Sequence, residues 1–551
     1  MGWFKKERRW DAEVDVVVVG TGAAGMTAAL AAHAEGASVA ILEKCRLVGG
    51  TTAVSGGVVW APNNRHMAKA GIGDSRDEAV GYVKRLADGR SSDALVERFV
   101  DAAPRMIDWV EEQTPLRFAA LARYPDYHPE FPGGKPGGRS LDPGLFDANE
   151  LGAWKKSLRR SPVFGMTAMS VQEATDWGVF SKPLKLPFKV LGERYAKGLV
   201  CYGGALAGNL LKAMLDRGLE PRLEHPVREL VVDEGRVAGV RAEHAGHDVF
   251  LRARKGVVLA SGGFEWSREL TAQFLGGVLT HPNSPPTNEG DGLRMAMSVG
   301  ADLGNMSEAW WCPSLVIPGE EYDGTQLHRG DFAIRSMPHT LIVNRRGRRF
   351  VNEAQNYNDL MKAFFAFEPN AYERPNLPAW LVFDHAYVEK YALMTVMPGQ
   401  PVPDWVARAD SLEAIAHAIG VDARGLAQTV ERFNGFAVEG VDPEHGRGAS
   451  LYDHFYGDPD HRPNPNLGVV AKAPFYALEV HPGAIGTKGG ARVNVEAQVL
   501  RADGGVVAGL YAAGNVMAGV TGAGYPGAGA TIAAAMTFGW LAGRHAASSP
   551  P

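Results

Sequence analysis

Small residues fill the stretch VTGAGYPGAGATIAAAMTFG near the C-terminus (520–539), and a single phenol, that of Tyr525, lies among them. A backbone of small residues can approach a flat or phosphorylated ligand closely. The phenol could then offer that ligand a hydrogen bond. The stretch is therefore a candidate ligand-contacting segment.

The segment VDVVVVGTGAAGMTAALAAHAEGASVAILEK (14–44) has the order strand, tight turn, helix and second strand. A buried-strand pattern is followed by the spacing G-x-G-x-x-G at the strand-to-helix turn. These glycines let the backbone approach a pyrophosphate, which the positive end of the following helix attracts. A glutamate about 20 residues further on can accept hydrogen bonds from a ribose. We therefore expect a bound dinucleotide, with these candidate contacts: Gly20, Gly22, Ala23, Ala24, Gly25, Glu43 and Lys44.

A second loop of small and hydroxyl-bearing residues follows in CRLVGGTTAVSGGVVWAPNN (45–64). A glycine-rich surface loop is one interpretation, and a loop that backs onto an isoalloxazine ring is another. The stretches GVVLASGGFEW (256–266) and DGGVVAGLYAAGN (503–515) favour the second, because each predicts a strand that ends in a glycine turn. The candidate cofactor contacts here are Gly49, Gly50, Thr51, Thr52, Ser55, Gly56, Gly57, Ser261, Gly262, Gly263, Gly514 and Asn515.

Composition excludes several classes of protein. With 45% hydrophobic and 22% charged residues, the 551-residue chain has the balance of an ordinary globular protein, and its length predicts more than one domain. A net charge of −5 gives no electrostatic footprint for nucleic acid. Cys45, Cys201 and Cys312 are too few and too scattered for a disulfide framework or a metal cluster, which favours a reducing compartment.

The N-terminus does not fit a signal peptide, because it is charged up to a first apolar run of only strand length. No stretch reaches the roughly 18 apolar residues of a membrane span. We therefore expect a cytoplasmic protein that holds no metal.

Together, the glycine fingerprint, the glutamate, the GG-T loop, the ASGGF strand and the GLYAAGN segment resemble the FAD-containing flavoproteins of the fumarate reductase and succinate dehydrogenase group. The resemblance extends over nearly the whole chain. It implies FAD as the cofactor and an α/β fold, in which a Rossmann-like FAD-binding domain is split in sequence by an inserted α+β catalytic domain. The expected limits are 1–305 and 475–551 for the FAD-binding domain and 306–474 for the insertion.

Within this group, fumarate reductases carry an arginine that aligns with Tyr525. An arginine can grip a carboxylate in two places, whereas a phenol donates one hydrogen bond, so a ketone is the better candidate substrate. The YPGAG motif is most similar to that of the 3-ketosteroid Δ1-dehydrogenases. This resemblance implies that the Tyr525 hydroxyl and the Gly529 N–H hold the 3-keto oxygen, and that Ala530, Thr531 and Ile532 contact the cofactor.

Two further stretches resemble the same family. GRRFVNEAQNYNDL (347–360) matches its RRF-x-NE strand and turn, which implies Tyr357 as the base. RYPDYHPEFPGG (123–134) matches its Pro-Asp-Tyr segment, which implies that Tyr127 supports that base. EAWWCP (308–313) is similar to its aromatic wall. The implied reaction removes a proton from carbon 2 and a hydride from carbon 1 of a 3-ketosteroid, in steroid or sterol degradation, and electrons then pass to an external, quinone-like acceptor.

The segment VHPGAIGTKGGARVN (480–494) resembles the part of the wider group that lies along the flavin, so Thr487, Gly489 and Gly490 are candidate wall residues. His481 and Arg492 could instead be a catalytic set of the fumarate reductase type, although a core histidine and a solvated arginine explain them better. The motifs are also compatible with an ene-reductase, a ketosteroid dehydrogenase acting at carbon 4, or a non-catalytic flavoprotein.

The segment 154–197 is rich in basic and aromatic residues, with nine Lys or Arg against three Asp or Glu. Its apolar residues follow no clean helical period and include Trp154, Phe164, Met166, Met169, Trp177, Phe180, Leu184, Leu186 and Phe188. Such a segment could be a lid, a subunit interface or a peripheral contact with the anionic inner face of a membrane.

Overall fold

The structure is a computed structural model that describes residues 9–164 and 168–550. Met166 of the basic and aromatic segment and the first eight residues of the chain lie outside the described residues.

The first large sheet has seven strands and is mixed. Its core strands lie parallel to one another, and the second half of the first strand, 16–19, is a fully apolar, buried run, as is typical of a parallel sheet covered on both faces. The parallel strands, in spatial order, are Val39–Leu42, Ala12–Val19, His247–Leu259 and Val506–Ala512. Antiparallel partners extend this sheet: Val227–Asp233, Arg236–His244 and Gln498–Leu500.

Two helices that follow predicted glycine-rich segments pack against each other beside this sheet. They are Ala23–Ala34 and Ala530–Ser548. A Cβ at Gly543 would lie 2.2 Å from the Ala28 carbonyl oxygen, and a Cβ at Gly539 would lie 2.4 Å from the Ala24 carbonyl oxygen. The helices can therefore approach this closely only because glycine occupies both positions.

The second large sheet is mainly antiparallel. Its strands, in spatial order, are Thr325–Gly330, Ala309–Tyr322, Phe475–Thr487, Ala379–Phe383 and Thr340–Asn344, and the short strands His281–Pro282 and Ala407–Ala409 also pair with the third of these. The strand Phe475–Thr487 opens the segment that was predicted to return to the FAD-binding domain, yet it pairs with the second sheet. The chain rejoins the first sheet at Gln498.

The remaining elements connect and cover these two sheets. The other α-helices are Gly50–Val54, Arg65–Lys69, Arg76–Ala87, Asp93–Gln113, Val171–Asp176, Phe188–Ala196, Tyr202–Leu215, Arg268–Leu275, Asp291–Ser298, Tyr357–Phe364, His385–Lys390, Leu412–Ile419, Ala423–Glu439 and Leu451–Phe455. Short strands are Val59–Trp60, Ala119–Ala120, Ser140–Asp142, Phe146–Asp147, Leu199–Val200, Leu303–Gly304 and Gly490–Ala491, and 3₁₀ turns are Ala148–Lys156, Pro183–Lys185, Ile334–Ser336 and Gly514–Val516. Among the described helices, none has the length and apolar character needed to cross a bilayer.

Candidate active site

The glycine turn after the first strand is built as predicted from its spacing. Gly20 has φ +105°, and a Cβ there would lie 2.5 Å from the carbonyl oxygen of Ala260 on the neighbouring strand. A Cβ at Gly25 would lie 1.9 Å from the Gly20 carbonyl oxygen. Gly22 is the N-cap of the following helix. Only glycine fits this turn, which brings the helix N-terminus and its positive dipole to the end of the sheet.

Glu43 lies buried at the end of the second parallel strand. One carboxylate oxygen accepts hydrogen bonds from Thr21, at 3.1 Å from the amide and 2.6 Å from the hydroxyl, and the other accepts the Cys45 amide at 3.0 Å. The neighbouring Lys44 ammonium lies 2.6 Å from a carboxylate oxygen of Asp291. The acid thus also orders the glycine turn, and the lysine is neutralised by its own partner.

The second predicted loop lies against the same helix N-terminus. Thr52 Oγ1 accepts the Ala23 amide at 3.0 Å, and Thr51 Oγ1 accepts the Asn288 side chain at 2.8 Å. Gly57 has φ +69°, and a Cβ there would lie 2.2 Å from the Tyr202 backbone. The loop therefore packs between the first helix and the helix Tyr202–Leu215.

The ASGGF turn supplies a polar atom that has no protein partner. Within the described residues, the buried Ser261 Oγ makes no hydrogen bond. Close by, the Thr487 hydroxyl accepts the Phe264 amide at 3.0 Å, and a Cβ at Gly263 would lie 2.2 Å from that hydroxyl. A side chain at position 263 is therefore excluded, and the turn is held against the strand that ends at Thr487.

A narrow cavity joins residues from distant predicted segments. Its wall includes Thr487, Gly514, Asn515 and Thr531, all of which the sequence singles out, and also Lys488. It is closed by the ring of Trp310, whose Nε1–H donates to Asn515 Oδ1 at 3.2 Å.

The three predicted tyrosines lie together beside this cavity. The ring centroids of Tyr127 and Tyr525 are 4.9 Å apart, and those of Tyr357 and Tyr525 are 5.7 Å apart. The Tyr127 hydroxyl donates a hydrogen bond of 2.7 Å to the Tyr357 hydroxyl. All three side chains are buried. The fold thus brings together phenols from three segments that are far apart in the chain, with Tyr127 and Tyr357 separated by 230 positions.

The turn that carries Tyr525 is fixed by its backbone carbonyls. The Pro526 oxygen accepts the Tyr127 amide at 3.0 Å and the Tyr82 hydroxyl at 2.8 Å. Gly529 has φ +92°, and a Cβ there would lie 2.3 Å from the Val58 carbonyl oxygen. The Thr531 hydroxyl donates to Tyr525 Oη at 3.1 Å. The phenol and the Gly529 N–H are therefore held in one rigid turn at the start of the C-terminal helix.

Burial controls the acidity of these phenols. It raises the pKa of Tyr127 and Tyr357 well above that of a free tyrosine, and neighbouring phenols raise it further. The hydrogen bond with Tyr127 acts in the opposite direction and lowers the pKa of Tyr357. Burial also raises the pKa of Tyr525, whereas hydrogen bonds with Thr531, Tyr357 and the Gly529 amide lower it. Near neutral pH the three phenols of the free protein therefore keep their protons, and only the phenolate form of Tyr357 could accept another.

Charged residues next to the tyrosines in sequence connect the same segments. His128 Nε2 lies 2.7 Å from Asp359, and Lys362 Nζ lies 3.1 Å from the other oxygen of that carboxylate. Burial alone would lower the pKa of His128, but Asp359 and Glu130 raise it to about 9. Lys362 also donates to the Ala523 carbonyl at 2.9 Å. One ion network therefore ties the segments of all three tyrosines together.

Sequence patterns gave no signal for the role of Lys488. Its side chain is fully buried, and Nζ donates to the carbonyls of Ala523 and Gly524 at 3.0 and 2.8 Å while lying 4.4 Å above the Trp310 ring. Burial lowers its pKa to about 7. The ammonium supports the turn that carries Tyr525.

Comparison with known proteins explains this geometry. A family model described as FAD binding domain matches residues 15–532. The 3-oxosteroid 1-dehydrogenase of Mycolicibacterium smegmatis is 39% identical over 559 residues, which cover 96% of each chain. The chain belongs to this family of FAD-dependent dehydrogenases. It is an FAD-dependent oxidoreductase, and both the family and the cofactor agree with the sequence-based predictions.

Two other relatives of the dehydrogenase bear on fold and substrate. A crystal structure of 3-ketosteroid delta1-dehydrogenase from Sterolibacterium denitrificans, in complex with 1,4-androstadiene-3,17-dione, has a TM-score of 0.91 and 38% identity, and covers 97% of this chain and 99% of that chain. This likeness confirms the predicted fold class. The 4-oxocyclohexanecarboxylate 2-dehydrogenase of Sinomonas cyclohexanicum is 41% identical over 538 residues, covering 96% of this chain and 92% of that protein.

The cofactor cradle of the dehydrogenase fits FAD. The glycine turn lets a phosphate approach the backbone closely, and Glu43 lies at the end of the second strand, the position of the ribose-binding acid in such a unit. The two candidates for a fumarate reductase set lie elsewhere. His481 stacks on His281 at 3.9 Å, and Arg492 pairs with Asp302 at 2.7 Å.

Proposed function

We propose that the protein catalyses the 1,2-dehydrogenation of a 3-ketosteroid with FAD as the hydride acceptor. The observation that carries this proposal is the 2.7 Å hydrogen bond between the hydroxyls of Tyr127 and Tyr357, with the Tyr525 ring packed against both. This arrangement offers a candidate base and a candidate ketone donor on one apolar wall. The assignment of the individual residues follows the family motifs, and geometry supports it.

The Tyr525 hydroxyl and the Gly529 N–H are the proposed donors to the ketone oxygen. When a proton leaves the adjacent carbon, negative charge develops on that oxygen. Preorganised donors in a site that excludes water stabilise such charge by roughly 3 to 4 kcal/mol each. The rigid turn supports this role, because Thr531 orients the phenol and the αL conformation of Gly529 fixes its amide.

Tyr357 is the proposed base for the proton on carbon 2. Because burial raises its pKa, the phenolate needs a donor, and the hydrogen bond from Tyr127 supplies one. General bases of this kind contribute about 100- to 10,000-fold to a rate. The glycine turn, Glu43 and the cavity wall would hold FAD, which would supply the acceptor for the hydride from carbon 1.

A monocyclic ketone acid is the second candidate substrate. The observation that favours it is the 41% identity to the Sinomonas cyclohexanicum enzyme, whose name gives a cyclohexanone carboxylate. The proposed ketone chemistry is the same in both cases. The candidates differ in the far end of the substrate, which is an apolar ring system in one and a carboxylate in the other.

Anaerobic reduction of the bound flavin tests both candidates. We expect the yellow holoenzyme to bleach on addition of a 3-ketosteroid and to remain yellow with succinate. Bleaching by 4-oxocyclohexanecarboxylate and not by the steroid would favour the second candidate. A flavin that neither ketone reduces would refute the proposed reaction.

Contact of the segment 154–197 with an anionic membrane surface is a further part of the proposal. Lys185 and Lys189 lie among exposed apolar residues in this segment. Its six exposed large apolar side chains are Val163, Phe180, Leu184, Phe188, Val190 and Tyr195. Lysines beside such a surface contribute about 1 kcal/mol each, and rings can enter the interface. Met169, by contrast, packs in a small core with Leu191 and Tyr202, so it does not belong to this surface.

Cosedimentation with liposomes tests the membrane contact. The intact protein should bind vesicles that contain anionic lipid at low salt and dissociate at high salt. Replacing 155–189 by a short Gly/Ser linker should abolish the binding. If the intact protein stays in the supernatant at low salt, the segment is a lid or a subunit interface. Among the described residues, Cys45, Cys201 and Cys312 form no disulfide bond, which supports the proposed cytoplasmic location. A quinone-like compound is the proposed electron acceptor.

A further inference from the structure

Lys488 places a buried amine in the wall of the narrow cavity. Its side chain is closed to solvent. The same wall includes Thr487, Gly514, Asn515 and Thr531, which the family motifs assign to the flavin site. The proposed reaction gives this amine no role. A charge on it acts strongly on whatever the cavity holds, because protein and not water surrounds it.

The Lys488 ammonium has no carboxylate partner of its own. Its Nζ donates to the carbonyl oxygens of Ala523 and Gly524 at 3.0 and 2.8 Å. It also lies 4.4 Å above the centre of the Trp310 ring. In the described part of the chain, the acids that act on it do so from a distance, without a hydrogen bond. Carbonyl dipoles and a ring face hold this cation, and neither cancels its charge.

Charged groups on the neighbouring elements pair with one another. They form three ion pairs: Glu308 with Arg90 at 2.8 Å, Asp359 with Lys362 at 3.1 Å, and His128 with Glu130 at 3.1 Å. In each of the first two pairs, the acid raises the pKa of Lys488 and the base lowers it. Because every acid here has a base beside it, the charge of the ammonium is left uncompensated.

We propose that Lys488 supplies the positive charge that stabilises the reduced flavin and so sets its reduction potential. A hydride brings two electrons and one proton, so its arrival adds one negative charge to the site. A site that holds an uncompensated cation beforehand becomes neutral when this charge arrives. The proposal goes beyond the reaction proposed above, because it does not depend on which ketone delivers the hydride.

The same residue couples reduction to the uptake of a proton. Burial lowers the pKa of Lys488 to about 7, so the amine of the free protein is mostly neutral above that pH. Negative charge in the cavity raises the pKa of the amine, which then binds one proton from solvent. Reduction thus takes up two electrons and one proton as hydride, and a second proton forms an N–H bond on the lysine. By reciprocity, each pKa unit of this change makes reduction tenfold more favourable when the lysine is protonated.

Equilibration of the holoenzyme with a redox dye of known potential tests this role without any ketone. The protein is reduced in steps with dithionite, and the equilibrium constant between flavin and dye is read from absorbance, after allowance for the dye's own protons. Between pH 7.5 and 9, the wild-type constant should fall by more than tenfold per pH unit, towards about 100-fold, because two protons are taken up. In Lys488→Met it should fall about tenfold per unit, because only one is. At pH 7 the constant for the variant should be about tenfold below wild type, or about 30 mV for a two-electron couple.

Two further variants separate charge from support of the turn. Lys488→Gln removes the charge and keeps an N–H donor, so it should behave as Lys488→Met does. Lys362→Met is the matched control, since Lys362 also donates to the Ala523 carbonyl, at 2.9 Å, but is partly exposed and paired with Asp359. The control should keep the steep pH dependence and an equilibrium constant within about threefold of wild type.

The contrary results are distinguishable. A wild-type constant that falls only tenfold per pH unit would overturn the proposal, even if neither Lys488 variant retained flavin. Wild-type behaviour in Lys488→Met or Lys488→Gln would overturn it too. An equal loss in Lys362→Met would assign the effect to the turn at Ala523 and not to the charge. A flavin that shows the expected pH dependence but that no ketone reduces would refute the proposed reaction and leave the role of Lys488 in place.

Discussion

The change Tyr525→Phe removes one hydroxyl from the proposed ketone site and leaves its packing intact. The phenyl ring keeps its contacts with the rings of Trp310 at 4.7 Å and Tyr127 at 4.9 Å. Thr531 loses an acceptor, but its side chain is only partly buried, so water can replace the phenol. The variant should therefore fold and bind FAD, and its kinetics should report on the loss of the Tyr525 hydroxyl.

The expected loss divides between binding and turnover. A neutral hydrogen bond to the ketone contributes about 0.5 to 1.5 kcal/mol, so steroid binding should weaken roughly 2- to 12-fold. The same donor is worth roughly 3 to 4 kcal/mol to the developing enolate, so kcat/KM should fall by about 100- to 1,000-fold. Most of the loss should therefore appear in kcat. Residual activity should remain because the variant keeps the Gly529 N–H, the second proposed donor.

Steady-state kinetics and a flavin-perturbation titration with the steroid measure the two parts. Tyr387→Phe is a matched control. Tyr387 is also buried, but its hydroxyl donates to the Ala392 carbonyl, outside the proposed ketone site. The control should stay within about threefold of wild type. A kcat/KM for Tyr525→Phe that is also within about threefold of wild type would refute the ketone assignment.

Three other predictions concern the base, the cofactor cradle and the buried lysine. Tyr357→Phe should lower turnover by about 100- to 10,000-fold while steroid still binds. Near-normal turnover would contradict its role. Glu43→Ala should lower flavin content after gel filtration, because both the ribose and the Thr21 turn lose an acceptor; a full complement of FAD would contradict this. The pKa of Lys488 is about 7 in the folded protein, below the ordinary lysine value of 10.5. Between these pH values the unfolded chain binds more protons than the folded protein, so the free energy of unfolding should fall as the pH is lowered from about 10 towards 7. Lys488→Met should therefore flatten the rise of thermal stability between these values, and an unchanged pH dependence would show that the lysine is not desolvated.

Local spacing was enough to predict the glycine turn after the first strand. The turn at Gly20 and Gly25 and the acid at Glu43 belong to one strand-helix-strand unit, so their relative positions follow from the geometry of that unit. The tyrosine site was different. Tyr127 and Tyr357 are 230 positions apart in the chain, and no period or spacing in the sequence brings them together. Their prediction depended on family motifs.

Two features could not be predicted because their cause is tertiary. In the sequence, Lys488 is a single cation beside two glycines, which gives no sign of burial. In the structure it is fully buried, and its ammonium donates to the carbonyls of Ala523 and Gly524. The strand Phe475–Thr487 carries no signal for the sheet that it joins. Its membership follows from pairing with Ala309–Tyr322 and Ala379–Phe383, which are distant in sequence.

The segments that carry the tyrosines are held by contacts that share few atoms with the proposed chemistry. The Pro526 carbonyl accepts the Tyr127 amide, and the ammonium of Lys362 reaches both Asp359 and the Ala523 carbonyl. Carbonyls and charged groups can take this role because they leave the phenol hydroxyls available for substrate and for one another. The Lys362 contact joins the segment of Tyr357 to that of Tyr525, and the Pro526 contact joins the segments of Tyr525 and Tyr127. The assembly of the site therefore depends on these contacts between segments as much as on the tyrosines.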